Sequence, residues 1–266
     1  MQAELPAEDH LVRPFRLFAA ASIALALSGV PMVVHAQSFT DTQRGDIEAI
    51  IKSYLVSHPE VLEEAMNELT KRQAAAETQK HEESIAKNAS LIFDSSRGVT
   101  LGNKNGDVTF VEFFDYNCGY CKRAMSDMLD LMKNDPKLKV VLKEFPVLGD
   151  GSVEAAKVAV AVRMQDPTGQ KYLDFHQKLL GGRGPADKAR AMAAAKEAGL
   201  DTAKIEKDIA SPEVKATNEE NFQMAEEMGL NGTPSYVIGR QIVIVAVGLD
   251  CLKEKIGIAC CGYATC

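Results

Sequence analysis

The alternation of hydrophobic and polar residues divides the chain, after an apolar leader, into three regions. From about 38 to 90, apolar residues such as Ile47, Ile50 and Ile51 recur at helical spacing, and Pro59 separates two helices. This helical N-terminal arm has too few apolar residues to form a core of its own. We therefore expect it to pack on the main domain or on copies of itself.

The second region, about 91–150, has the pattern of strands. The stretch "GVTLGNKNGDVTFVEFFDY" predicts two strands around a turn, and Asn105-Gly106 predicts that they form a hairpin. A helical pattern follows, and "KLKVVLKEFPVLG" predicts a third strand. Strand, helix and strand in this order predict a βαβ unit and therefore an α/β fold.

The third region is rich in alanine at helical spacing. Five helices are predicted, over about 152–165, 169–181, 186–199, 201–210 and 212–229. After Gly229, "TPSYVIG" and "QIVIVAVG" predict a hairpin, and "LDCLKEKIG" predicts a last short helix. Capping preferences place Asp41 or Thr42 at the start of the first helix of the arm. They also place Asp201 and Ser211 at helix starts in this region.

The leader has the features of a signal peptide. Arg13 and Arg16 precede the apolar run "LFAAASIALALSGVPMVV", and a small-residue processing site follows. We expect residues 1–36 to be removed by cleavage after Ala36, although an uncleaved anchor in the inner membrane is the alternative. Export would place the cysteines in an oxidising compartment, where disulfide chemistry is expected.

Composition and charge narrow the classes of function. The chain has 266 residues, 46% of them hydrophobic and 25% charged, with a net charge of −7. Removal of the leader takes away three acidic residues and two arginines, so the net charge becomes −6. An acidic protein is not expected to bind nucleic acid or an anionic membrane surface.

Cys118 and Cys121 lie where the second strand gives way to a helix. Unpaired amide N–H groups and the helix dipole at such an N-terminus stabilise a thiolate, so the pKa of Cys118 should be low. Cys121, one turn further, can close a disulfide with Cys118 or resolve a mixed one. A structural disulfide or a zinc site is the alternative, but zinc requires two further ligands and no histidine is near in sequence.

Two further features bear on this site. Thr233-Pro234 precedes a predicted strand, as a plain turn would, but a cis peptide there would expose backbone groups beside Cys118 to an extended substrate. Tyr116 and Tyr120 flank the cysteines. They could line an apolar surface for unfolded chains or pack at the domain edge.

The motifs "FFDYNCGYCK" and "GTPSYVIG", with helices between them, resemble the DsbA-type thioredoxin-fold oxidoreductases of exported bacterial proteins. The resemblance covers residues 91–258. It implies a thioredoxin fold with a helical insertion over about 152–229. It further implies Cys118 as attacking thiol, Cys121 as resolving thiol and Pro234 as a cis-proline. No cofactor is implied beyond the redox-active disulfide between the two cysteines.

Further features of the resemblance concern the direction of the redox reaction and the oligomeric state. Glu112 matches the family's buried acid and could influence proton transfer from Cys121, unless it points to solvent at the strand end. Gly119-Tyr120 is the dipeptide of the DsbC-type isomerases. The segment 38–90 resembles the N-terminal segment of the suppressor-of-copper-sensitivity C (ScsC) group, in which it oligomerises the protein and relatives suggest a trimer. These features favour an isomerase or reductase over a dithiol oxidase.

The C-terminus departs from the family pattern by four additional cysteines: Cys251, Cys260, Cys261 and Cys266. Cys251 would be buried and inert in the last helix. The last three, in a Cys-rich tail over 259–266, could form a terminal disulfide, bind a soft metal such as Cu(I), or have no role.

The sequence as a whole predicts a periplasmic thiol–disulfide oxidoreductase, with no metal required at its active site. Its expected partners are unfolded or misoxidised exported proteins and a membrane redox partner. A copper-tolerance protein that uses the Cys-rich tail, or a binding module without redox turnover, is the alternative.

Overall fold

The computed structural model describes residues 39–263, so the predicted signal peptide and Cys266 lie outside the described residues. The chain divides into two compact units between Leu62 and Glu63. Within residues 39–263, none of the helices has the length and hydrophobicity that crossing a bilayer requires.

The first unit contains helix α1, Asp41–Ser57. Its cap is Thr40, so the prediction of Asp41 or Thr42 is wrong by one or two residues. The reason is local: the Thr40 side chain accepts from the Gln43 N–H while the Gln43 side chain accepts from the Thr40 N–H, which completes a capping box. A second helix, α2, begins after Pro59 and spans Glu60–Phe93, as the predicted break requires.

The second unit is built on a five-stranded mixed sheet. Its strands are β1 (Val99–Gly102), β2 (Val108–Phe114), β3 (Leu138–Glu144), β4 (Ser235–Ile238) and β5 (Gln241–Ile244). The order is β1-β3-β2-β4-β5, and β2 and β3 pair in parallel while the other pairs are antiparallel. Helix α3, Gly119–Asn134, joins β2 to β3. The predicted α/β class and βαβ unit are therefore confirmed.

The predicted hairpin of the first two strands is wrong, because β3 lies between β1 and β2. The turn around Asn105-Gly106 carries the chain across the start of β3 instead. Its flanking residues are bonded to that start: the Asn103 N–H donates to the Leu138 carbonyl and the Asp107 N–H donates to the Lys137 carbonyl. β3 is buried on both faces, and neighbours on both sides satisfy its backbone groups.

The helical insertion agrees with the five predicted helices. They are α4 (Asp150–Gln165), α5 (Gln170–Gly181), α6 (Lys188–Glu197), α7 (Thr202–Asp208) and α8 (Pro212–Glu227). Asp201 and Ser211 cap α7 and α8 as predicted. The last helix, α9, spans Leu249–Cys261 and is longer than predicted, so Cys260 and Cys261 lie in a helix rather than in a separate tail.

The core has one layer on each face of the sheet. Phe110, Phe114 and Leu142 face α3, α4 and α5, while Val111 and Phe113 face α8 and the end of α2. Ile85 and Ile92 of α2 are buried in this second layer. The last turns of α2 are thus part of the main unit.

Gly106 provides a test of the strand order. An added Cβ would overlap the Lys137 carbonyl oxygen and lie 2.7 Å from the Lys139 nitrogen, so Gly106→Ala must displace the turn from β3. We expect a loss of about 2 kcal/mol in the free energy of unfolding, measured by chemical denaturation. Gly45→Ala in α1, where nothing lies within 4 Å, is the control and should not destabilise. Equal stability of the two variants would contradict the crossing.

Candidate active site

Cys118 lies at the junction between the buried strand β2 and helix α3. It is the N-cap residue of α3, with an extended backbone, and its Sγ accepts the Cys121 N–H at 3.4 Å. Its own N–H donates to the Asp115 carbonyl at 3.1 Å, which closes the turn before the helix. Cys118 is 5% exposed and Cys121 is 0% exposed, so the sulfur of Cys118 is nearly buried but is the more accessible of the two.

The pKa of Cys118 is lowered to about 5. The largest cause is the hydrogen bond from the Cys121 side chain. Burial opposes the shift, and hydrogen bonds from the Thr233 side chain and from the N–H groups of Cys121 and Tyr120 support it. The Thr233 main-chain carbonyl, 3.0 Å from Sγ, accepts from the thiol and favours the neutral form, but the donors outnumber it. The low pKa that the sequence predicted for Cys118 agrees with the structure. Its largest cause, however, is the side chain of Cys121, which the argument from the helix dipole did not include.

The pKa of Cys121 is shifted in the opposite direction. It is fully buried, and burial, the hydrogen bond to Cys118 and the charge of Glu112 raise its pKa well above the ordinary value. At neutral pH the pair therefore contains one thiolate, on Cys118, and one neutral thiol, on the more deeply buried Cys121. Both cysteines are reduced in this structure.

Glu112 lies on β2 beneath the cysteines and is only 3% exposed, so the alternative of a solvent-facing carboxylate is wrong. Its register neighbours are Leu142 on β3 and Tyr236 on β4, neither of which carries a positive charge. Burial, followed by the negative charges of Cys118 and Asp127, raises the pKa of Glu112 to about 8. A carboxyl group that can hold or release a proton near neutral pH is thus placed beside the cysteine pair.

The Thr233-Pro234 peptide bond is cis, as the sequence predicted. Thr233 lies directly against Cys118, and the Pro234 carbonyl accepts the Val245 N–H at 3.1 Å. The strand β4 starts at the next residue. The tertiary structure thus brings a segment more than 110 residues distant in sequence onto the reactive sulfur.

The two tyrosines that flank the cysteines in sequence differ in their exposure to solvent. Tyr120 is 59% exposed with the Arg123 guanidinium 4.5 Å above its ring, so it can line a surface beside Cys118. Tyr116 is 2% exposed, so the prediction of a surface role is wrong for this residue. Its hydroxyl lies 3.3 Å from the Tyr172 hydroxyl and 3.3 Å from Nδ1 of His176, in a polar chain that closes inside the core.

Sequence reasoning missed Asp115, Val147 and Leu148. The buried carboxylate of Asp115 accepts the N–H groups of Val147 and Leu148, whose side chains are exposed. An acidic residue directly after the apolar strand was the available signal. Its partners, however, are more than 30 residues away and could not be inferred.

The other described cysteines, Cys251, Cys260 and Cys261, all lie in α9. Cys251 is half-buried and Cys260 is exposed, and both are free thiols. Across residues 39–263, no three His, Cys, Asp or Glu side chains are grouped as metal ligands. The candidate soft-metal ligands Cys260, Cys261 and Cys266 stay a prediction, since Cys266 lies outside the described part.

Comparison with known proteins gives two family matches. The model of the DSBA-like thioredoxin domain matches residues 109–257, and that of the copper resistance protein ScsC N-terminal domain matches residues 43–76. A search of curated proteins found no match.

Three solved structures represent the similar proteins. A thioredoxin-like oxidoreductase from Silicibacter pomeroyi is 40% identical over 64% of this chain and 96% of its own, with a TM-score of 0.61. The thiol-disulfide exchange protein alpha-DsbA2 from Wolbachia pipientis is 30% identical over 68% and 96%, with a TM-score of 0.63. ScsC of Proteus mirabilis, in a transitional conformation, is 27% identical over 84% and 97%, with a TM-score of 0.61.

The ionisation of Cys118 can be measured by alkylation of the reduced protein with iodoacetamide, followed by mass spectrometry of the Cys118 peptide. Only the thiolate reacts, so we expect the rate to rise with pH through a midpoint near 5, whereas a free cysteine titrates at about 8.5. In Cys121→Ala, which lacks the main donor, the midpoint should move up. A midpoint at or above that of free cysteine in the unmodified protein would contradict the geometry.

Proposed function

Because the chain belongs to the family of DSBA-like thioredoxin domains, we propose that it exchanges thiols and disulfides in exported proteins through Cys118 and Cys121. The observation that carries the proposal is the asymmetric pair: Cys118, 5% exposed, has a thiol with a pKa of about 5, and Cys121, fully buried, has a thiol whose pKa is raised. A low pKa provides the attacking thiolate at neutral pH and also makes Cys118 a good leaving group.

In the first step the Cys118 thiolate attacks one sulfur of a client disulfide. A bond forms between Cys118 and that sulfur, the client's disulfide bond breaks, and the second client sulfur leaves as a thiolate. We assign substrate binding to the backbone of Thr233 and Pro234 and to the exposed ring of Tyr120. Thr233 and Pro234 belong to the segment that contacts Cys118, and their backbone lies just before β4, where an extended client beside Cys118 could pair with it.

The mixed disulfide then resolves in one of two ways. Attack by another client thiol rearranges the client's disulfides with no net oxidation or reduction. Attack by Cys121 on Cys118 releases the client with both sulfurs reduced, while the two electrons are lost by the cysteine pair, which becomes a disulfide. A membrane partner that supplies two electrons would then restore the dithiol.

Glu112 is the proposed acceptor for the proton that Cys121 must lose. The negative charge of Cys118 is among the causes that raise the pKa of Glu112. When Cys118 is bonded to a client, that charge is gone, so the carboxylate form of Glu112 becomes more accessible. The formation of the mixed disulfide thus prepares the general base for the following step.

The direction proposed is isomerisation or reduction, on the basis of Gly119-Tyr120 and of the match between residues 43–76 and the ScsC N-terminal domain. Oxidation of client dithiols is the second candidate. A Cys118 pKa of about 5 favours it, because a stabilised thiolate stabilises the reduced protein and makes the disulfide form a stronger oxidant. Copper tolerance is a third, through the same N-terminal match.

The proposed setting is the periplasm, after cleavage of the leader near Ala36. One structural relative is a periplasmic thioredoxin-like protein from Salmonella enterica, and the family matches begin after the leader. The clients would be unfolded or misoxidised exported proteins. Nucleic acid is not expected as a partner of this acidic chain.

We also propose that the arm, residues 38–90, assembles the protein as a homo-oligomer. Helix α1 has no buried residue, and its apolar side chains Ile50, Ile51 and Tyr54 are all more than half exposed. A solvent-exposed apolar helix face is favoured when it packs on another chain. Several active sites around one client would help an isomerase to hold the client while its disulfides are rearranged.

Single-cysteine variants test the chemistry. Cys118→Ala should abolish the reduction of insulin and the refolding of scrambled ribonuclease, because the ionised sulfur is gone. Cys121→Ala should accumulate mixed disulfides with clients, visible on non-reducing gels, since the resolving thiol is missing. Cys251→Ala removes a free thiol outside the site and is the matched control with full activity. Retained activity in Cys118→Ala would contradict the assignment of Cys118 as the attacking thiol.

A redox titration in glutathione buffer measures the reduction potential of the cysteine pair and so separates an isomerase from an oxidase.

Truncation tests the assembly. Deletion of residues 37–76 removes α1 and part of α2 but keeps Ile85 and Ile92, which belong to the core. We expect the mass measured by light scattering to fall to that of one chain, dithiol chemistry to persist, and isomerase activity to fall at least severalfold.

A point variant tests the same assembly without removing any of the chain. Ile51→Asp puts a charge on the apolar face of α1 and should dissociate the oligomer, whereas Lys52→Asp, at the neighbouring polar position, should not. An intact protein that already has the mass of a single chain would rule the proposal out.

A further inference from the structure

Asp115 is a buried carboxylate, and each of its two oxygens accepts two hydrogen bonds. Oδ1 accepts the Asn117 N–H at 2.7 Å and the Ser152 hydroxyl at 2.7 Å. Oδ2 accepts the Val147 N–H at 2.8 Å and the Leu148 N–H at 2.9 Å. All four donors are neutral, and Asp115 itself is only 1% exposed. Hydrogen bonds to a buried charge are among the strong ones in proteins.

These four bonds connect three separate segments of the chain. Asn117 directly precedes Cys118, Val147 and Leu148 form the loop after β3, and Ser152 is in the first turn of α4. Asn117 reinforces the link, since its amide donates to the Ser152 hydroxyl at 2.9 Å.

The same amide pairs with Ala186, accepting its N–H at 2.6 Å and donating to its carbonyl at 2.9 Å. The turn that presents Cys118 is thus tied both to the neighbouring loop and to the helical insertion.

The loop exposes its side chains because its amides are turned toward Asp115. Val147 is 39% exposed and Leu148 is 53% exposed, although both are large and apolar. With Tyr120, they place apolar surface near Cys118, on segments that a single carboxylate holds in register. Asp115 does not cause the ionisation of Cys118, whose donors are Cys121, Thr233 and Tyr120.

We propose that Asp115 is a positioning residue for thiol exchange with polypeptides. It holds the Val147–Leu148 loop at a fixed place beside Cys118, so that an apolar client segment next to a disulfide is bound while the thiolate attacks. This inference rests on the proposed function and specifies its substrates: disulfides flanked by apolar residues in an extended chain. Small disulfides, which do not reach the loop, do not depend on Asp115.

Asp115→Asn is the direct test, because an amide has one accepting oxygen and places an NH₂ group against N–H donors where the second oxygen was. The reduced protein is mixed with glutathione disulfide, or with a synthetic peptide disulfide flanked by leucines, and the two rate constants are compared. We expect the rate with the peptide to fall about tenfold, as a displaced binding loop would cause, and the rate with glutathione disulfide to change less than about twofold. The pH profile of Cys118 alkylation should be unchanged.

Asp201→Asn is the matched control, since Asp201 caps α7 through the Lys204 N–H at 3.0 Å and should leave the two rates in their original ratio. If Asp115→Asn does not fold, Ser152→Ala removes one of the four bonds without adding a donor and should lower the same ratio to a smaller extent.

Equal losses with both disulfides, or no loss with either, overturn the positioning role in whichever variant is folded. A parent protein that reacts with neither disulfide would instead overturn the proposed function.

Discussion

The stabilisation of one sulfur atom at the start of α3 is the interaction on which the other features of the site depend. Sγ of Cys118 receives hydrogen bonds from the thiol of Cys121, from Thr233 and from backbone N–H groups of the first helical turn. Because β2 ends inside the core and is followed at once by α3, the free N–H groups of the helix start point at this one atom. The sheet supplies that strand, and the turn at Asp115 directs it into the helix.

The two cysteines of the active site differ in how deeply they are buried. Cys118 and Cys121 lie one helical turn apart, but the second faces the interior, where burial and the nearby Glu112 oppose its ionisation. Glu112 has Leu142 and Tyr236 as register neighbours and no cation between them, so its carboxyl group also resists ionisation. The charges of the three groups are therefore coupled: the negative charge of Cys118 raises the pKa of both Glu112 and Cys121, and that of Glu112 also raises the pKa of Cys121. Such coupling allows a covalent step at Cys118 to change the protonation of a deeper group in the core.

The helical insertion is joined to the sheet by buried polar contacts as well as by apolar packing. The Tyr172 hydroxyl of α5 donates to Oε1 of Glu144 at 2.6 Å, and the Asn221 amide of α8 donates to the carbonyl of the same residue at 3.1 Å. Burial lowers the pKa of His176 to about 3, so this histidine is neutral beside Tyr116. Because such groups are costly to bury unpaired, these bonds restrict how the insertion can be placed over the sheet.

The parts determined by the sequence alone are those whose signals are local. Ser211 and Asp201 mark helix starts through bonds to residues three positions away, and the cysteine spacing places both sulfurs on one turn of a helix. The resemblance carried by two short motifs was sufficient for the fold class and for the cis bond before Pro234.

Only the tertiary structure decided the rest. Asn105-Gly106 has the local chemistry of a hairpin turn, yet β3 enters between the two strands, because strand pairing depends on segments that the turn does not contain. Tyr116 and Tyr120 are similar in sequence context, but one is buried by α5 and the other is not. Three of the four partners of Asp115, Val147, Leu148 and Ser152, lie more than 30 residues away and only folding brings them to it, which is why no local pattern could reveal them.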